Sequence, residues 1–206
     1  MFHSDLARLK TAFLNLALLS FAAAVLSGCA FTTARVPLRY TPHGKATLLA
    51  GAHNIIVTVS VKDLRKHKRI GNKVNGYGVS TAPIYSTTNI ASLVQRAFEM
   101  ELRDRGFRVA HTSPVLVDVA VTKLHNRFSS GFFSGSAVAV FHMNVMVKNR
   151  YGKEVFSQKV SAVGKNSGII MTSGSNAAIA VDRAIENGVQ GIFHNKQFIT
   201  ALLHAG

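Results

Sequence analysis

The chain has 206 residues, 24 of them Lys or Arg against nine Asp or Glu, for a formal net charge of +15, and one cysteine. A lone cysteine excludes a disulfide framework, so the fold must stand on its own core. Basicity of this order in a cytoplasmic chain would point to nucleic acid; the amino-terminal segment directs the reading elsewhere.

That segment opens with Arg8 and Lys10, followed by an apolar run from Ala12 to Leu26 that closes on Leu26-Ser27-Gly28-Cys29. Positive flank, apolar stretch and small residues before a cut follow in signal-peptide order, and the run is shorter than the roughly twenty residues of a spanning helix. Small residues before cysteine form a lipoprotein box. Cleavage between Gly28 and Cys29 would leave Cys29 carrying a diacylglyceryl group on its thiol, the nucleophile that accepts lipid. More than one acyl chain gives stable anchoring. Ala30 rather than Asp follows Cys29, the Gram-negative pattern for transfer to the outer membrane with the chain on the periplasmic face. Loss of Arg8, Lys10 and Asp5 with the signal leaves +14. In that compartment the partners of a basic surface are anionic lipid, lipopolysaccharide phosphate or peptidoglycan carboxylate, and nucleic acid is not among them.

Three regions are expected: a signal peptide over 1–28, a lipidated Cys29 with a flexible tether over 29–53, and one periplasmic domain over 54–206. Pro37, Pro42, Gly44 and Gly51 interrupt any period in the tether, which as a coil would reach about 25 Å. Ile55 to Val61 is β-branched and predicts a first strand. Residues 62–88 read as a long irregular connection containing Lys62, Arg65, Lys66, Lys68, Arg69 and Lys73. Ser86 to Asn89 offers N-caps for a helix with an apolar stripe of Ile90, Leu93, Val94, Ala97 and Phe98, and Gly106 supplies its left-handed end. Val115, Val117, Val119 and Val121 share one strand face with Asp118 opposite; Ala137–Lys148 and Glu154–Val163 form two more strands around an Asn149–Gly152 turn. Asn176 or Ser175 caps a second long helix, and Phe198 to Leu203 predicts a short last one. The order β-α-β-β-β-α gives a single α+β domain, an antiparallel-rich sheet with helices packed on one face.

Convergent chemistry is sparse. The carboxylates Glu99, Glu101 and Asp104 sit on a helix beside arginines, as solvated pairs do, and Asp118 among valines is the best candidate acid. No G-x-S-x-G elbow occurs, the cysteine is used by lipid, and the nine histidines form no H-E-x-x-H or close pair. Catalytic residues, metal ligands and a cofactor are therefore not expected. Gly76-Tyr77-Gly78 and Val163-Gly164-Lys165-Asn166 lack P-loop spacing and read as turns. Two contact regions remain. Lys62, Arg65, Lys66, Lys68, Arg69 and Lys73 suit an anionic surface, and Phe128, Phe132 and Phe133 on a Gly/Ser-rich tip suit acyl chains or a partner groove.

The lipoprotein box, Val57-Thr58-Val59-Ser60-Val61 with Asp63 and Arg65, Leu93-Val94 through Arg105-Gly106-Phe107, Leu116 to Val121, the Asn149–Glu154 turn and the Asn176-Ala177 helix together resemble the YajG family of bacterial lipoproteins. The resemblance implies localisation and fold and supplies no reaction. The expected function is an outer-membrane-anchored periplasmic lipoprotein with a non-catalytic interaction or envelope-maintenance role, attached through Cys29 and meeting an envelope protein. The alternative is a binder of anionic lipid or lipopolysaccharide headgroups through the basic loop.

Overall fold

The computed structural model describes residues 31–42, 44, 46–129 and 134–206. Gly28, Cys29, Phe132 and Phe133 lie outside the described residues. The elements in chain order are β1 (Ala34–Val36), a 3-10 turn (Ala52–Asn54), β2 (Ile56–Asp63), β3 (Arg69–Val74), β4 (Ser80–Ser86) and α1 (Ile90–Asp104). Then come β5 (Arg108–Val109), β6 (Val115–Ser129), β7 (Gly135–Lys148), β8 (Glu154–Ile169), α2 (Gly174–Phe193) and α3 (Lys196–Leu203).

Local chemistry explains the helices. Asn89 caps α1, its side chain accepting from Ser92 N–H at 3.0 Å, and Gly106 ends the turn beyond it at φ 92°. Ser173, rather than the expected Ser175 or Asn176, starts α2 by accepting from Asn176 N–H at 3.2 Å. Asn195 caps α3. Strands β6 and β7 alternate buried and half-exposed residues along most of their length, and the Asn149 side chain accepts from the N–H groups of Tyr151 and Lys153, closing the β7–β8 turn.

The eight strands among the described residues form one open, mixed sheet. β6, β7 and β8 run antiparallel, as do β3 and β4, whereas β1 runs parallel to β4 and β2 parallel to both β5 and β6. The helices cover one face. Val117, Val119, Phe141, Met143 and Val145 are fully buried against them, and Phe98, Phe193, Phe198 and Phe156 continue ring to ring at centroid separations of 5.3–5.4 Å. α2 lies so close to β8 that a Cβ at Gly164 would stand 2.1 Å from Ala180 O. Gly164 is therefore a mid-strand contact glycine, not part of a turn.

Two expectations about the chain's path are corrected. Much of the segment read as a tether is folded: residues 34–36 form an edge strand, Leu38 and Ala52 are buried, and Tyr40 reaches the helices. The irregular connection over 62–88 contains the β3–β4 hairpin, whose ladder is broken by two register shifts. Mixed residue character on short, partly exposed strands hides both from the sequence pattern.

Candidate anionic-surface site

The expected basic loop does not present its charges as a set. Arg65 is buried, and its Nε and Nη2 donate to the two oxygens of Asp63 at 2.8 and 2.9 Å. Lys68 Nζ adds a third contact to Asp63 at 2.8 Å. Burial alone would raise the Asp63 pKa, but the hydrogen bonds from Arg65 and Lys68 and the Arg65 charge outweigh it and hold the carboxyl well below the usual range. Asp63 thus neutralises part of the cluster, and Arg65 works as a clamp on the β2–β3 connection. Lys66, Lys68 and Arg69 remain exposed and, with His67 and Tyr85, line a shallow hollow of about 420 Å³. Lys62 is exposed on β2, and Lys73 is half-buried on β3.

The structure adds basic residues that sequence proximity does not reveal. β6 carries a bulge between Val121 and Lys123, which reverses its alternation. Before it Leu116, Asp118 and Ala120 face away from the helices; after it Lys123, His125 and Arg127 do. Their cross-strand neighbours on this outer face include His142 on β7, and the rows continue to Lys159 and Lys165 on β8. On the other side Arg69 lies near enough for its charge, after burial and the Arg127 charge, to push the His125 pKa down. Arg35 then stacks over the Tyr85 ring at 5.7 Å. A basic surface therefore crosses the outer sheet face from β1 to β8. The same bulge turns Asn126 inward, where it is 1% exposed and neither side-chain polar atom has a partner.

A cleft of about 360 Å³ joins this surface to the start of α1, lined by Asp63, Arg65 and Lys68 together with Ser86 to Ala91. Arg65 Nη1, enclosed at its wall, has no hydrogen-bond partner.

The carboxylates separate by environment. Asp118 stands half-exposed on the outer face opposite Ser60 and Met146. Glu99 pairs with Arg103 on the α1 surface as expected, but Glu101 is buried, correcting its reading as a solvated position. Glu101 accepts from Tyr40 Oη at 2.5 Å, from Gln190 Nε2 at 2.6 Å and from Arg105, whose guanidinium lies 4.8 Å from the centre of the Phe193 ring. Burial, then the hydrogen bond and charge of Glu101, push the Tyr40 pKa far up. Every member is paired inside the protein, so the cluster clasps the amino-terminal segment to α1 and α2. Among the described residues no three His, Cys, Asp or Glu side chains come together as a metal would require. Phe128, read as an apolar contact, is half-buried against the core. No helix among the described residues is long and apolar enough to cross a membrane.

Comparison with known proteins supplies the lineage. No curated protein matches the sequence. The crystal structure of protein XCC0632 from Xanthomonas campestris superimposes with a TM-score of 0.53 at 12% identity, covering 84% of this chain and 96% of that one. A minor lipoprotein from Acinetobacter baumannii gives 0.45 at 8% identity, covering 75% and 96%. At 12% identity the likeness to the Xanthomonas protein speaks to fold alone. A family model described as uncharacterised lipoprotein matches residues 43–203, and the chain belongs to that family, the YajG-like lipoproteins its sequence resembles.

Proposed function

We propose that the mature protein is an outer-membrane lipoprotein whose single domain acts in the periplasm as a non-catalytic interaction module of the envelope. The observation that supports this reading is the outer sheet face, where Arg69, Lys123, Arg127, Lys159 and Lys165 stand on one sheet, with Asp118 on a neighbouring row and Glu154 paired with Lys148 at the strand end. A broad array of like charges favours an extended anionic partner and makes binding dependent on salt. The first polypeptide residue after the anchor, Ala30, supports the outer-membrane destination. A second reading, recognition of anionic lipid or lipopolysaccharide headgroups, is favoured by the cleft that brings Lys68 and the enclosed guanidinium of Arg65 to the start of α1.

Crosslinking in living cells followed by mass analysis tests both. A recurrent protein adduct that survives high salt supports the interaction module. Glycolipid or phospholipid adducts alone, lost when Lys66, Lys68 and Arg69 are changed to Gln, support the headgroup reading. Density separation of the two membranes tests the address: recovery of the native chain with the inner membrane, or of Cys29→Ala still membrane-bound, overturns it.

A further inference from the structure

Among the described residues, five exposed apolar side chains from three separate places in the chain lie at one end of the sheet. β3 runs parallel to β6, so the turn after Val74 lies at the end where β6 finishes at Ser129. β8 pairs antiparallel with β7 and reaches Ile169 opposite Gly135, the same end. β1 runs parallel to β4, which begins just after the β3–β4 turn, so the chain entering β1 also comes from there. Direct contacts fasten these pieces together. Val74 N–H donates to Thr172 Oγ1 at 3.2 Å, and the Thr172 hydroxyl donates back to Val74 O at 2.6 Å. Gly174 sits so tightly on β1 that a Cβ would stand 2.8 Å from both Ala34 and Val36.

Among the described residues, the large apolar side chains left outward at this end are Tyr77 and Val79 on the β3–β4 turn, Ile170 and Met171 after β8, and Phe31 before β1. They are 59–97% exposed. The β3–β4 turn is an ordered platform, because the Asn75 side chain accepts from the N–H groups of both Tyr77 and Val79. Behind the tip, Arg127 and Lys165 share one cross-strand row through Val138. That row lies two residues before Ser129, about 7 Å back along β6. An apolar tip with cations one step behind it matches the layering of a bilayer surface, acyl boundary first and phosphates above, where apolar faces seat about 5–10 Å deep.

We propose that this end is a membrane-seating surface whose partner is the lipid leaflet holding the protein's own anchor. Tyr77, Val79, Ile170 and Met171 enter the interfacial layer, and Arg127 and Lys165 meet anionic headgroups. The inference rests on Cys29 as the lipidated residue. Phe31 is two residues beyond Cys29 and β1 begins five residues beyond it; five residues span at most about 17 Å. The tether is then too short to hold the domain away from the leaflet, and it emerges at the end where the exposed apolar groups collect. Seated in this way, the domain keeps the rest of the basic face and the α1 cleft open to the periplasm.

The chain contains no tryptophan, so a single introduced indole is an unambiguous probe. Tyr77→Trp and Ile170→Trp report on the proposed seat, and Tyr151→Trp, 84% exposed on the β7–β8 turn at the opposite end of the strands, is the reference. Each full-length, lipidated variant is reconstituted into phosphatidylcholine–phosphatidylglycerol vesicles with brominated acyl chains, after circular dichroism has checked its fold. The expected result is a blue-shifted emission for the two seat variants and quenching several-fold stronger than for Tyr151→Trp. Equal, weak quenching at all three positions on protein that floats with the vesicles overturns the seat and leaves the anchor intact. A blue shift that grows with protein concentration without bromine quenching assigns the surface to a second copy and also overturns it. Failure to float removes the anchor reading and the seat with it.

Discussion

Three glycines of the β8–α2 pair, two in its interface and one on the outer side of the helix, should respond to the same added methyl in three different ways. At Gly164 of β8 the new Cβ would stand 2.1 Å from Ala180 O and 2.3 Å from Ala184 N, both backbone atoms of α2. An ordinary carbon–oxygen contact is about 3.3–3.6 Å, so α2 must move back by about 1 Å or more. That gap forfeits about a quarter to a half of each dispersion contact it opens, along a stripe containing Ala177, Val181, Ile185 and Val189. Gly164→Ala should cost about 3 kcal/mol or more, the upper end for overpacking. Gly188→Ala meets Phe141 ring atoms at 2.7 and 3.0 Å; a side chain yields more readily than backbone, so about 1–2 kcal/mol is expected. Gly191, on the same helix, has nothing within 4 Å, and Gly191→Ala should stabilise by about 0.5–1 kcal/mol. Urea unfolding followed by circular dichroism, with an unchanged m-value, measures all three. A loss below about 1 kcal/mol for Gly164→Ala, or an equal loss for Gly191→Ala, would refute the backbone contact as the cause.

Asp182 predicts a pH dependence. Burial raises its pKa, and the nearby Glu186 charge adds to this; the Arg39 N–H, donating at 3.0 Å, opposes, and the result is about 6. The unfolded carboxyl releases its proton near about 4. Over that interval the folded state binds more protons, so this group makes stability fall as pH rises from about 4 to about 6. Asp182→Asn should therefore be more stable than the native chain at neutral pH and converge with it near pH 4; thermal melts that differ equally at both pH values would contradict this. At the start of α1, Asn89→Ala removes the acceptor for Ser92 N–H and should cost about 1 kcal/mol by urea unfolding. A several-fold larger loss would mean that Asn89 does more than cap α1.

Elements with strong local periods are legible in the sequence itself. The α1 stripe of Ile90, Leu93, Val94, Ala97 and Phe98 is buried as its spacing requires, and Gly106 adopts the left-handed conformation its position calls for. The valines of β6, the Asn149–Gly152 turn and the short α3 follow from equally local rules. Strands β1 and β5 leave no such signal, because three- and two-residue segments carry no measurable alternation. The β3–β4 hairpin is hidden by Gly71, Pro83 and its own register shifts. The candidate site is legible only in composition. Arg65 reads as one of six loop cations and is instead the buried partner of Asp63.

The sequence by itself determined the lipoprotein signature at Cys29, the α+β class and the helices, because each depends on residues close together in the chain. Tertiary structure decided which charges share a surface. Extending the valine alternation of Val115–Val121 would place His125 inside and Asn126 outside; one extra residue at the β6 bulge does the reverse. A side-chain period of two makes facing depend on every residue before it, so a single bulge moves Lys123 and Arg127 onto the outer face. The same long-range register carries Phe31, Tyr77 and Ile170 to one end of the sheet, although about a hundred and forty residues of sequence separate Phe31 from Ile170. Strand pairing between distant segments is an energy of the assembled sheet, and no local pattern records it.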